Sequence, residues 1–186
     1  MKPMDHAYKN LSCQLITEAL FRLMEKEDYS DITISEITME AGVARRTFYL
    51  NFSSKEEILD RHYETLIREY DENITAETAN DIRKQAEYFF AFWQRHRAYA
   101  SLLEKNGMLY MLVNRFHLYL DRTGLTFAGG VPSTELVYLS SYIAGGLWMM
   151  LQAWLQRGFR ETPQQLAAIF ASAAGLAGSG REVHAG

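Results

Sequence analysis

One cysteine, Cys13, in 186 residues leaves no intrachain disulfide to form. It falls within an apolar helical pattern, so it reads as core packing rather than a redox switch. No stretch reaches the ~18 uncharged apolar residues of a membrane span, and the polar N-terminus has no apolar h-region. A cytoplasmic protein with no membrane partner is expected. Positive charge is not in excess either: 19 Lys and Arg against 23 Asp and Glu leave a net charge of −4, which excludes a polybasic membrane or heparin binder. A phosphate-binding P-loop, a glycine-rich dinucleotide fingerprint and a G-x-S-x-G elbow are all missing. The five histidines, His6, His62, His96, His117 and His184, have no metal-ligand spacing among them. The expectation is a protein that is not an enzyme and holds no metal and no cofactor.

The informative stretch lies between Ile32 and Lys55. Thr33-x-x-Glu36 is a capping box, with Ile32 and Ile37 as its hydrophobic staple. A helix is therefore predicted to start at Ile34, with Ile34, Ile37 and Ala41 on one stripe and Gly42 ending it. A second short helix, Ala44 to Leu50, follows at once, and two helices about a glycine turn form a helix-turn-helix. Val43, Phe48 and Phe52 are its apolar face, while Arg45, Arg46, Thr47, Tyr49 and Asn51 supply donors. In such a motif the first residues of the second helix meet base edges in the major groove. Arginine there can pair with guanine O6 and N7, and Tyr49 and Thr47 suit phosphate oxygens. Ser53 or Ser54 caps a third helix, with Glu56 or Glu57 at N3. Lys55 sits in that helix's first turn, where the macrodipole disfavours a cation and a phosphate would answer both. Residues 1–62 hold 8 Lys and Arg against 11 Asp and Glu, a net of −3, so the segment is not broadly basic. Arg45, Arg46 and Lys55 stand alone between Glu40 and Glu56, and a modest salt dependence of DNA binding is expected.

These residues resemble the TetR family of bacterial transcriptional regulators. Thr33, Ile37, Ala41, Gly42, Val43, Thr47, Phe48, Tyr49, Phe52, Ser54, Lys55 and Ile58 match its N-terminal signature at fixed spacing. Ala44 departs where the family often has Ser or Thr, and Asn51 where it has His or Tyr. The C-terminal run from Tyr142 to Phe170 more loosely resembles one subgroup, the regulators of dihydroxyacetone kinase operons. The candidate DNA contacts are Thr33, Ser35, Ala44, Arg45, Arg46, Thr47, Tyr49, Asn51 and Lys55, with double-stranded DNA as the partner.

The rest of the chain is periodic at helical spacing and contains no strand pattern, so an all-α architecture is expected. Leu11, Leu15, Ala19, Leu20 and Leu23 mark a first helix that supports the motif. Ser54 to about Ile74 is a long connector with charged faces. Further helices are marked by Ile82–Trp93, Ala98–Lys105, Leu109–Leu120, Thr134–Arg157 and, after the capping box at Thr162, Pro163 to about Ala174. The loop Gly124–Ser133 is the clearest break. Residues 1–53 are assigned to a DNA-binding domain, 54–177 to a helical regulatory and dimerisation domain, and 178–186 to a disordered tail.

The last two helices are expected to form a homodimer interface through Ala144, Leu147, Leu151, Leu155, Leu166, Ile169, Phe170 and Ala173. Gly145-Gly146 suits a close helix approach, and the competing reading is an intrachain helix pair. The aromatics between Asp81 and Trp154 are mostly core by spacing. TetR-like proteins commonly bind a small effector in this domain, and Phe89, Trp93, Phe116, Tyr119 and Trp148 are the candidate lining for an apolar one. The function expected is a ligand-responsive repressor binding a palindromic operator. The alternatives are an activator, or a helical adaptor of the same fold without an effector.

Overall fold

The computed structural model describes residues 3–75, 78, 81–123 and 133–178. Every regular element among them is a helix: α1 Pro3–Met24, α2 Ile34–Glu40, α3 Arg45–Asn51, α4 Lys55–Glu72, α5 Ile82–Arg95, α6 Arg97–Lys105, α7 Leu109–Thr123, α8 Ser133–Gln156 and α9 Pro163–Gly178. The expected all-α class is thus the observed one. The loop expected after Gly124 and the tail beyond Gly178 lie outside the described residues. The chain divides into two units, Met1–Glu72 and Asn73–Gly186. Helix α4 thus falls with the first unit. The physical reason is that α4 buries Ile58 and Leu59, and its His62 meets Phe21 of α1 edge-on at 4.9 Å.

In the first unit, α1 presents Ile16, Ala19, Leu20, Leu23 and Met24 to α2, α3 and α4. Leu11, expected on that stripe, is 52% exposed, whereas Ser12 beside it is buried. The capping box of α2 is formed: Thr33 Oγ1 accepts from the Glu36 N–H at 3.3 Å, and Glu36 Oε2 accepts from the Thr33 N–H at 2.8 Å. At its other end Gly42 has φ +65°. There its N–H reaches the Met39 carbonyl at 3.1 Å while the Val43 N–H reaches that of Thr38 at 3.0 Å. That pair of bonds needs a left-handed residue, which glycine supplies without a Cβ clash.

In the second unit, Asp81 caps α5 by accepting from the Arg83 and Lys84 N–H groups at 2.9 and 3.1 Å. Helix α9 packs along α5, and α8 contacts α5, α6, α7 and α9. A Cβ on Gly146 would come within 3.1 Å of the Phe170 ring. The close helix approach expected at Gly145-Gly146 is therefore an intrachain one, between α8 and α9. Around Gly145 the space is open. The α8–α9 turn is held by Trp154, whose Nε1–H donates to the Glu161 carbonyl at 3.0 Å. The Thr162 capping box then starts α9, with Gln165 Oε1 accepting from the Thr162 N–H at 2.8 Å.

The start of α4 is closed by its own carboxylate. Glu57 Oε2 accepts from both the Ser53 N–H and the Ser53 hydroxyl at 2.6 Å, and Arg61 donates to its other oxygen. The Ser53 hydroxyl is the largest cause, followed by the Ser53 N–H and Arg61, of a Glu57 pKa lowered from 4.5 to about 2. A carboxyl whose folded pKa lies below its unfolded value stabilises the fold above the unfolded pKa and loses that contribution as pH falls through the folded one. The first unit is therefore expected to keep this contribution above about pH 5 and to lose it between about pH 4.5 and pH 2. Acid titration followed by circular dichroism should show that decline, and Glu57→Gln should flatten it.

Candidate DNA-binding surface

The seven residues of α3 are oriented by two phenylalanines. Phe48 is fully buried and Phe52 is 3% exposed, with their ring centroids 5.9 Å apart. At 3.6 residues per turn this places Arg45, Arg46, Tyr49 and Leu50 together on the outer side, and all four are exposed. The neighbouring outward residue of α2 is Ser35. Arg45 Nη1 donates to Ser35 Oγ at 2.9 Å and Nη2 to Tyr49 Oη at 3.3 Å, with the guanidinium 5.7 Å from the Tyr49 ring centroid. A guanidinium has five N–H donors in a rigid fork. Two contacts hold its plane and leave the other donors free for a ligand. Arg46 is exposed beside it.

The acidic neighbours of this face are already occupied. Glu40 accepts from Arg22 at 2.7 Å, and this bond holds its carboxyl below the usual range. The Thr33 hydroxyl at 2.6 Å does the same for Glu36. Glu36 and Glu40 are thus each engaged by a side chain of their own unit, which as a whole is not basic.

Three of the expected contact residues do other work in the structure. Asn51 is 6% exposed. Its Nδ2 donates to the Thr47 carbonyl at 2.7 Å, and its Oδ1 accepts from the Cys13 thiol at 3.2 Å. It ties the end of α3 to α1 and is turned away from any ligand of the outer face. Lys55 does not project from the start of α4. Its Nζ donates to the carbonyls of Tyr29, Ser30 and Ile32 at 2.6, 3.3 and 2.8 Å, and sits 4.4 Å from the Tyr29 ring centroid. The unfavourable dipole at this position is thus answered by loop carbonyls rather than by a phosphate. Thr33 is engaged in its capping box. Ala44 is the N-cap of α3 without any side-chain bond, and Thr47 is half-buried. Leu50, 66% exposed on the outer face, is the residue that sequence reasoning passed over. Its position four residues after Arg46 was the available signal.

The expected interface and ligand sets also sort by burial. Ala144, Leu147, Leu151, Leu166 and Phe170 are at most 7% exposed within the single chain. They form intrachain packing, because the stripe of α8 faces its own neighbours. Leu155 is half-buried, and Ile169 and Ala173 are exposed. Phe89, Trp93, Phe116 and Trp148 are all buried and pack on one another, with Trp148 5.4 Å from Phe89, 5.2 Å from Trp93 and 5.9 Å from Phe116. They are a core cluster rather than the wall of an enclosed cavity. The Tyr119 side chain lies outside the described residues. A cleft of about 250 Å³ opens beside the cluster, lined by Glu104, Gly107, Leu109, Tyr110, Val113, Trp148, Met149 and Gln152.

Residues 16–61, from the buried half of α1 to the first turns of α4, match the model of the bacterial regulatory proteins of the tetR family. The first unit thus carries a segment similar to the N-terminal domain of that family. Over 86 residues it is 33% identical to the HTH-type transcriptional regulator EthR of Mycolicibacterium smegmatis, covering 42% of this chain and 40% of that one. Over 67 residues it is 39% identical to the uncharacterized HTH-type transcriptional regulator YxbF of Bacillus subtilis, covering 35% of this chain and 18% of YxbF. The chain thus spans well under half the length of these curated relatives. Among solved structures it is similar in fold to the dihydroxyacetone kinase operon activator DhaS, with a TM-score of 0.55 and 15% identity over 87% of this chain and 92% of that one.

In this TetR-like segment the ammonium of Lys55 is a clamp on the loop before α2. Lys55→Ala is expected to cost about 1–3 kcal/mol of local stability, the usual range for losing hydrogen bonds to a charged group. Faster amide hydrogen exchange across α2 and α3 is the measurement. Unchanged exchange, with a loss only of polyanion affinity, would return Lys55 to the contact surface.

Proposed function

We propose that this chain is a sequence-specific DNA-binding transcriptional regulator that acts as a homodimer on a palindromic operator, and that it is a repressor released by a small effector. The observation behind the DNA-binding part is the outer face of α3, where Arg45 is held by Ser35 and Tyr49 with Arg46 beside it. The helix is about 10 Å long at 1.5 Å per residue, short enough to seat within a major groove about 12 Å wide. An arginine fork held in one plane suits the paired O6 and N7 acceptors of guanine. Selection from random duplex DNA is the primary test, with a palindrome of half-sites about one helical turn apart as the expected product. Arg45→Ala/Arg46→Ala should lose about 2–6 kcal/mol for the selected duplex at unchanged fold, taking about 1–3 kcal/mol for each base contact. Equal affinity of the two proteins would refute the reading.

A palindrome calls for two copies related by a two-fold axis. The partner surface we assign is the outer face of α8, not its buried stripe. Tyr138, Tyr142, Gly145 and Met149 recur there at intervals of four, three and four residues. Tyr138, Tyr142 and Met149 are 78%, 51% and 65% exposed, with Val137 at 55% beside them. No charged residue lies between Glu135 and Arg157, and an uncharged apolar face of this length fits a second copy better than water. Ile169 and Ala173 of α9 remain exposed candidates as well.

For the effector, the cleft replaces the aromatic cluster as the proposed seat. Trp148 lines it, and the Trp148 Nε1–H is buried without an acceptor among the described residues. Glu104 holds its polar end, accepting from Gln152 at 3.2 Å and Gln156 at 2.8 Å. A second reading, regulation without a small effector, is favoured by the dense packing of Phe89, Trp93, Phe116 and Trp148. It is favoured too by a cleft volume below the ~300–1,000 Å³ of most small-molecule sites. A thermal-shift screen of metabolites, with operator affinity measured for each hit, separates the two.

The two α8 faces make opposite predictions on mutation. Met149→Glu should leave the monomer folded and abolish the dimer in light scattering, since the carboxylate stays solvated until a partner covers it. Leu151→Glu should instead unfold the second unit, because Leu151 is fully buried. A Met149→Glu protein that remains dimeric would remove this face from consideration.

A further inference from the structure

We propose that Leu50 reads a thymine methyl group in the major groove, and so sets a T·A requirement that the arginines cannot impose. The inference rests on the DNA-binding reading and deepens it. Leu50 is 66% exposed, and it shares the outer face of α3 with Arg45, Arg46 and Tyr49. Phe48 and Phe52 already supply the apolar seat of the helix, so Leu50 is not needed to hold α3 on α1 and α2. A large aliphatic side chain on a face it shares with hydrogen-bonding residues gains nothing from water or phosphate. Among the groups that base pairs show in the major groove, the C5-methyl of thymine is the apolar one.

The register of the helix also says where the methyl should lie. Leu50 follows Arg46 by four residues, about 6 Å along the helix axis. At 3.4 Å per base on one strand that is about two base steps. The half-site is therefore expected to contain a thymine about two base pairs from the base pair that Arg46 contacts, on the side toward which the C-terminal end of α3 points. Leu50 contributes no donor, so its effect is sequence preference without a change in salt dependence.

The test uses the full chain and a duplex recovered from random DNA by the wild-type protein. Each thymine of the half-site is replaced in turn by deoxyuridine, which removes only the methyl group. Wild type is expected to lose about fourfold affinity per half-site at one position, the equivalent of one buried methyl group. Leu50→Ala should bind the thymine duplex correspondingly less well and show no further loss with deoxyuridine at that position. Leu50→Met should retain the methyl dependence, and its exposed site makes both variants compatible with folding, which circular dichroism verifies. Wild-type binding that is indifferent to every methyl, or a methyl dependence unchanged in Leu50→Ala, would overturn the assignment while leaving DNA binding intact. Failure of the wild type to enrich any duplex would instead overturn the DNA-binding reading and this one with it.

Discussion

The burial of Phe48 is the constraint on which the surface of the first unit depends. A helix of seven residues is too short to persist alone in water, because nucleation is costly and two turns return few hydrogen bonds. Helix α3 exists because the Phe48 side chain is removed from water against α1 and α2, a gain of about 1.5–3 kcal/mol for a side chain of this kind. That burial also sets rotation. With 100° between successive residues, turning Phe48 inward leaves Arg45, Arg46, Tyr49 and Leu50 outward. A different apolar anchor would have rotated the arginines into the core or along its edge.

The polar groups around α3 complete what the apolar anchor begins. Loops and helix ends present backbone groups that must find partners when water is partly excluded. The loop before α2 has three carbonyls turned toward the start of α4, and the Lys55 ammonium donates to all of them. The end of α3 has the Thr47 carbonyl and the Cys13 thiol facing each other across Asn51, whose amide answers both. Glu57 closes the start of α4 in the same way. Each of these residues could serve a phosphate or a base in an extended chain. In the folded unit their hydrogen-bonding capacity is used internally, whereas Arg45, held by Ser35 and Tyr49, and Arg46 are exposed on the outer face of α3.

Packing in the second unit follows a similar division between faces. Ring contacts join Phe89, Trp93, Phe116 and Trp148 in the interior, and the cleft lies beside this cluster with Trp148 in its wall. Helix α8 is apolar nearly all round, with Leu147, Trp148 and Leu151 inward and Tyr138, Tyr142 and Met149 outward. One side is covered by its own chain, as Gly146 against Phe170 shows most directly.

The sequence alone determined the elements whose signals are local. The capping boxes at Thr33 and Thr162, the glycine that ends α2, the all-α class and the helix-turn-helix spacing depend on residues within one or two turns of each other. Local backbone chemistry decides them before any tertiary contact forms. The inward or outward sense of a polar side chain was not local. Asn51 and Lys55 are donors that follow Arg45 and Arg46 in the chain, and nothing within their own turn shows that Cys13 or the carbonyls of Tyr29, Ser30 and Ile32 lie opposite. The same holds for α8, where both faces are apolar by periodicity. Only the placement of α9, with Phe170 against Gly146, decided which face its own chain covers. Those choices belong to tertiary structure, because they depend on partners 20 or more residues away.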